Sequence, residues 1–79
     1  MARVLLFGPL RDVAGWRERD IEASDLTALK ALIASDDPGL GEALSGKGVQ
    51  VAVDQTIVRS DTVLSARSEV AFLPPMSGG

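Results

Sequence analysis

The chain has no cysteine, no histidine and no tyrosine. Without cysteine there is no disulfide, no thiolate nucleophile and no thiolate metal site. Without histidine the usual general base, the commonest metal ligand and the Ser–His arrangement are missing. No Gly-Lys-Ser/Thr phosphate cradle occurs; Gly46-Lys47-Gly48 is a short turn carrying one lysine. No run of eighteen apolar residues is present, so no membrane span is expected. The stretch Met1 to Pro9 is too short for a secretory signal and reads as a first strand. Positive charge is in deficit: the net charge of −3 argues against nucleic acid, whose phosphates demand a basic patch. Aspartates and glutamates remain, but they fall where turns and helix ends are expected. These absences leave no independent active site, no metal site and no bound cofactor to expect. They favour a binding or carrier module, and a cysteine-free chain fits a cytoplasmic setting.

What is present suffices for one small domain. Seventy-nine residues with 46% apolar content can build a single core. Arg3 to Phe7 reads as a strand, ended by Gly8-Pro9. Leu10 to Gly15 reads as one or two helical turns with Gly15 as the stop. Trp16 is expected as a partly buried satellite of the core in preference to a stacking platform. Arg17 to Ala23 alternates weakly, with Ile21 and Ala23 on one face, and its charges suit an edge strand. Asp25 is the N-cap of the main helix, Leu26 to Ser35, in which Leu26, Leu29, Leu32 and Ile33 form the apolar stripe and Ala34 lies off it. Asp36-Asp37-Pro38-Gly39 breaks that helix, and Leu40 to Leu44 forms another short turn. Val49 to Val53 has period two. Asp54-Gln55 then makes a two-residue hairpin turn into Ile57-Val58. Val63 and Leu64 are expected to plug the core from the connecting stretch, and Val70 to Leu73 is the final strand.

Two features bear on function. The first and last strands are apolar on both faces, with Val4 and Leu6 opposed to Leu5 and Phe7, and Val70 and Phe72 opposed to Ala71 and Leu73. One long helix covers only one face of a sheet, so the other face is either a partner surface or is covered by the Leu10–Gly15 segment. A docking site on it would use Phe7, Ile57 and Leu73. The second feature is the ending, Pro74-Pro75-Met76-Ser77-Gly78-Gly79. Neither proline can donate to a ladder, and both send the chain outward in an extended direction. At ~3.3 Å per residue, Pro74 to Gly79 reaches up to roughly 20 Å. Two readings are open: a frayed terminus, or a thin probe for a partner's narrow pocket. The expected organisation is a domain over 1–73 and a tail over 74–79.

The segments Val4-Leu5-Leu6-Phe7-Gly8, Leu10-Arg11-Asp12 with Gly15, Val53-Asp54-Gln55-Thr56-Ile57-Val58, and above all Glu69-Val70-Ala71-Phe72-Leu73-Pro74-Pro75-Met76-Ser77-Gly78-Gly79 resemble the small, sulfur-carrying subunits of molybdopterin synthase. The likeness runs over nearly the whole chain. Two turns depart from the family pattern: Ala66-Arg67-Ser68 replaces an Asp-Gly turn, and Val63 stands where a proline often precedes the leucine. The resemblance implies an α+β, ubiquitin-like β-grasp fold, with a mixed sheet of four to five strands packed on one main helix. It also implies a mechanism. An E1-like adenylating enzyme uses ATP to activate the carboxylate of Gly79, and sulfide converts it to a thiocarboxylate. The tail of Pro74, Pro75, Met76, Ser77, Gly78 and Gly79 then enters the large subunit, which supplies the catalytic groups, and its sulfur passes to a pterin precursor in molybdenum cofactor biosynthesis. By family pattern Phe7, Ile57 and Leu73 contact the large subunit, in a heterotetramer with two small subunits. Rival implications are a sulfur carrier for thiamine, cysteine or transfer-RNA thiolation, a ubiquitin-like protein modifier, and a non-catalytic adaptor.

Overall fold

The two doubly apolar strands lie side by side at the centre of the molecule. In the computed structural model, which describes residues 1–75, β1 (Ala2–Leu6) runs parallel to β5 (Glu69–Leu73). β2 (Glu18–Ile21) pairs antiparallel with β1 at one edge. β3 (Gln50–Val53) pairs antiparallel with the other flank of β5, and β4 (Thr56–Val58) closes the far edge. The order across the mixed sheet is β2-β1-β5-β3-β4. Three helices complete the chain: α1 (Pro9–Ala14), α2 (Leu26–Asp36) and α3 (Pro38–Leu44).

Register decides which side chains make the core. Val4 faces Val70 and Leu6 faces Phe72 across the parallel pair. Val51 and Val53 face Phe72 and Val70 across the antiparallel pair. Because strand side chains alternate, these six project to one face, where Val4, Val70 and Phe72 are fully buried. The helical layer supplies Leu10, Leu26, Leu29, Ile33, Leu40 and Leu44 against them. Each such side chain, fully removed from water, contributes about 1.5–3 kcal/mol. Trp16, Ile21 and Ala23 pack partly buried against this core, as expected.

Polar side chains punctuate the helices. Asp25 caps α2, its carboxylate accepting from the Ala28 amide at 2.7 Å. A second carboxylate reaches that helix end from the later loop: Asp61 Oδ1 accepts from the Thr27 amide at 2.9 Å. These bonds hold the Asp61 carboxyl below its ordinary value, with the Thr27 amide as the main cause. Asp37 ends α2 and caps α3, accepting from the Leu40 amide at 3.1 Å, and Pro38 stands in the first turn of α3 where its missing N–H is harmless. The hairpin turn is Asp54-Gln55 as expected. Both residues have positive φ, 49° and 69°, which matches the twist of the flanking strands. Asp54 also ties the turn to β5: its carboxylate accepts from the Glu69 amide at 2.9 Å, and its own amide donates to the Glu69 carbonyl at 2.8 Å.

Two core assignments are corrected. Val63 is 84% exposed, and only Leu64 enters the core. Val63 forms an isolated antiparallel bridge with Asp25, so the chain there is extended and adjacent residues cannot both point inward. Leu32 is 48% exposed. At 3.6 residues per turn it sits roughly 90° from the stripe of Leu26, Leu29 and Ile33. Ala34 lies off the stripe as expected, and there it faces α3: a Cβ on Gly41 would stand 2.5 Å from Ala34 Cβ. The helices approach that closely only because Gly41 has no side chain. Strand boundaries move by one or two residues. β1 is Ala2–Leu6, not Arg3 to Phe7, and β3 begins at Gln50.

Candidate docking face and tail root

The pleat that buries Val4, Leu6, Val70 and Phe72 sends their neighbours to the opposite face. Leu5 stands opposite Ala71, Ala71 opposite Ala52, and Ala52 opposite Ile57, in one row across four strands. Leu73, opposite Gln50, lies one pleat further along β5, and the same alternation carries Phe7 to this side at the end of β1. The three residues expected at a docking site are therefore brought to one face. Ile57 is 42% exposed and Phe7 37% exposed, while Leu73 is half-buried. Between them Ala52 and Ala71 form a low floor, so the face is a shallow apolar saddle flanked by larger side chains.

No described helix covers this face. Leu10 of α1 is in the core, and α1 packs against α3 on the helical side. The alternative that the Leu10–Gly15 segment folds over the second face is thus not what the structure has. Its cause is the turn at Gly8, whose φ of 58° and ψ of −138° reverse the chain toward the helical layer. Arg11 fixes that turn: its Nε donates to the Leu6 carbonyl at 2.9 Å, and its guanidinium lies 5.5 Å from the centre of the Phe7 ring. The contact positions the Phe7 ring while leaving it accessible. On the other flank Arg3 pairs with Glu18 at 3.5 Å, both side chains exposed, a pair worth little to folding but one that gives the saddle a polar rim.

The tail root adjoins this face. Because β5 is central, the chain beyond Leu73 leaves between the loop that follows β1 and the loop that precedes β3. Pro74 is half-buried and rests on Gly8; Pro75 is exposed and rests on Gly48. The expected tail residues Met76, Ser77, Gly78 and Gly79 lie outside the described residues. Trp16 sits far along the chain from this root, with the Arg19 guanidinium 5.5 Å from its ring centre. Among the described residues no group of three or more carboxylates gathers as a metal site, and the carboxylates of Asp25, Asp37, Asp54 and Asp61 are engaged with backbone amides. No described helix is long and apolar enough to cross a membrane.

A family model described as the ThiS family matches residues 4–79. The chain belongs to the ThiS family. This ThiS-family chain is 35% identical, over 81 residues spanning the whole of both sequences, to the molybdopterin synthase sulfur carrier subunit of Escherichia coli (strain K12). Among solved structures it is similar to the small archaeal modifier protein 1 of Methanosarcina acetivorans, with a TM-score of 0.87 at 21% identity, over 99% of this chain and 95% of that one. It is also similar to a chain of the complex of subunits 1 and 2 of molybdopterin-converting factor from Helicobacter pylori 26695, with a TM-score of 0.77 at 28% identity, over 99% and 97%. The fold is the ubiquitin-like β-grasp, α+β as expected, with five strands and three helices among the described residues. Two parts of the site were not singled out from sequence: the alanine floor as a unit, and Gly8 and Gly48 as the seats of the prolines. The first follows once period two is combined with strand order, and the second requires knowing which loops flank β5.

Proposed function

We propose that this protein is the sulfur-carrier subunit of a molybdopterin synthase, acting in the cytoplasm. The observation that carries the reading is the uncovered apolar face of Phe7, Ile57 and Leu73, continuous with the point where the chain leaves β5 at Pro74-Pro75. A face of that kind docks a partner, and the adjacent extended segment delivers the terminus into it. The partner is a large synthase subunit, in keeping with the molybdopterin-converting factor complex of Helicobacter pylori, and the assembly is a heterotetramer with two small subunits. The full-length 35% identity to the E. coli carrier supports the same assignment.

The chemistry resides at Gly79. Its carboxylate is ionised at neutral pH and is a poor electrophile. On an E1-like activating enzyme a carboxylate oxygen attacks the α-phosphorus of ATP, pyrophosphate leaves, and an acyl-adenylate results. Sulfide attacks the acyl carbon, AMP departs with the bridging oxygen, and a thiocarboxylate remains. The large subunit then directs that sulfur to the pterin precursor, and oxygen from water restores the carboxylate. Gly78, Ser77, Met76, Pro75 and Pro74 form the inserted tail. The chain binds no cofactor or metal of its own in this scheme, and ATP is consumed on the activating enzyme.

Intact mass spectrometry tests it. After incubation with the adenylating enzyme, ATP and sulfide, the mass rises by the difference between sulfur and oxygen, and deletion of Gly79 abolishes the change. Addition of the large subunit and the pterin precursor returns the mass to its starting value. An unchanged mass beside an activating enzyme shown to be competent refutes the reading. Conjugation to protein lysines in place of sulfur transfer would instead assign a modifier.

A further inference from the structure

Two glycines on separate loops face two consecutive prolines. Gly8 follows β1, the parallel neighbour of β5; Gly48 precedes β3, its antiparallel neighbour. Their φ values are +58° and +88°. A Cβ on Gly8 would stand 3.0 Å from Cγ of Pro74, and one on Gly48 would stand 3.0 Å from Cβ and 3.3 Å from Cγ of Pro75. Each ring therefore rests where another residue's side chain would begin. Gly15, which also has a positive φ, has nothing within 4 Å of its Cβ position, so such a seat does not follow from a positive φ alone. The seats lie on opposite flanks of the exit from the sheet, and each proline's own φ is locked near −65°.

We propose that Gly8 and Gly48 are positioning residues for sulfur delivery: by seating Pro74 and Pro75 from both sides they set the direction in which the chain leaves the domain. The inference rests on the sulfur-carrier reading and adds to it the residues that aim the terminus. Gly79 lies four residues beyond Pro75, at most about 13 Å of chain; a deflection of about 20° at the root shifts the terminal carboxylate by about 4.5 Å. A misplacement of about 1 Å costs up to about 100-fold in rate when reacting groups must meet. Side chains at the two seats thus act on turnover through the aim of the chain end, beyond any change in docking, and saturating partner separates the two because Gly8 adjoins Phe7 and Pro74 adjoins Leu73.

The test is a double-mutant cycle on the full chain, using Gly8→Ala, Pro74→Ala and both together. Alanine at 74 lacks the Cγ that an alanine at 8 would strike, leaving only the 3.8 Å neighbour Cβ. Sulfur transfer is followed with sulfide, ATP, the activating enzyme and the large subunit, alongside Kd for the large subunit and Tm. The expected result for each single variant is a fall of about 10- to 100-fold in turnover at saturating partner, where any weakening of Kd no longer limits the rate. The double variant is expected to lose less than the product of the two single losses, since part of the Gly8→Ala effect runs through the Pro74 contact and the rest through its positive φ. Should Gly8→Ala fail to fold, Pro74→Ala and Gly48→Ala decide by their turnover at saturating partner. Turnover equal to the parent, multiplicative losses in the cycle, or loss confined to Tm overturns the inference while leaving the carrier reading intact. A parent chain that never gains sulfur overturns the carrier reading and this inference with it.

Discussion

Phe72 and Leu73 are neighbours in sequence with opposite duties, and truncating residues on the two faces separates folding from docking. Phe72 is fully buried, so Phe72→Ala is expected to cost about 3–5 kcal/mol through lost burial and the cavity left behind. A domain of this length has about 4–12 kcal/mol in total, so that loss brings the variant near its unfolding threshold. Ile57 lies on the uncovered face and is 42% exposed. Ile57→Ala is expected to cost about 1 kcal/mol in folding, because much of the side chain never left water. Docking buries the remainder, worth about 1–2 kcal/mol, so Kd for the large subunit is expected to rise about 5- to 30-fold. Leu73→Ala behaves like Ile57→Ala. Urea denaturation reads the first quantity and titration calorimetry the second. Phe72→Ala is expected to unfold at much lower urea, yet bind with a parental Kd once corrected for its folded fraction. If Ile57→Ala binds as the parent does, or loses as much folding stability as Phe72→Ala, the assignment of faces is wrong.

Gly41→Ala is expected to lower Tm by about 4–16 °C, as overpacking against Ala34 outweighs the helix-propensity gain by about 1–2 kcal/mol. Adding Ala34→Gly does not restore it, because the new methyl also meets the Ala34 Cα at 2.7 Å. Gln55→Gly is expected to raise Tm by about 2–8 °C, since relief of a left-handed conformation exceeds the added chain entropy by about 0.5–1 kcal/mol; a lower Tm would show that φ of 69° carries no strain there. Asp61 has its folded pKa held below the ordinary value by the Thr27 amide, so its contribution is full above the unfolded pKa of about 4 and is lost as pH falls through the folded value. Asp61→Asn is therefore expected to melt below the parent at neutral pH, with the gap closing under about pH 4; a gap that persists in acid points away from the carboxylate's charge.

Punctuation and period were legible in the linear chain because their causes act within a few residues. Asp25 as a cap, Pro38 after Asp37, Asp54-Gln55 as the hairpin turn and the alternation of Val49 to Val53 all depend on local backbone chemistry. Alternation also separated Val4, Leu6, Val70 and Phe72 from Leu5, Phe7, Ala71 and Leu73 before any strand order was known. The likeness of the Glu69 to Gly79 ending to sulfur carriers added the chemistry of a terminus that no internal spacing encodes.

Contacts between distant segments were illegible for the corresponding reason. Whether Val63 or Leu64 turns inward depends on the bridge between Val63 and Asp25. The partner of Ala34, off the apolar stripe, is Gly41, across a helix break whose angle no local pattern sets. The identity of the uncovered face waited on Gly8, which reverses the chain so that Leu10 joins the helical layer and leaves Phe7 exposed. The seats of Pro74 and Pro75 waited on β5 lying between β1 and β3, a pairing of ends separated by most of the chain. Local propensity follows from covalent neighbours, whereas the meeting of remote loops follows from how one sheet closes over one core.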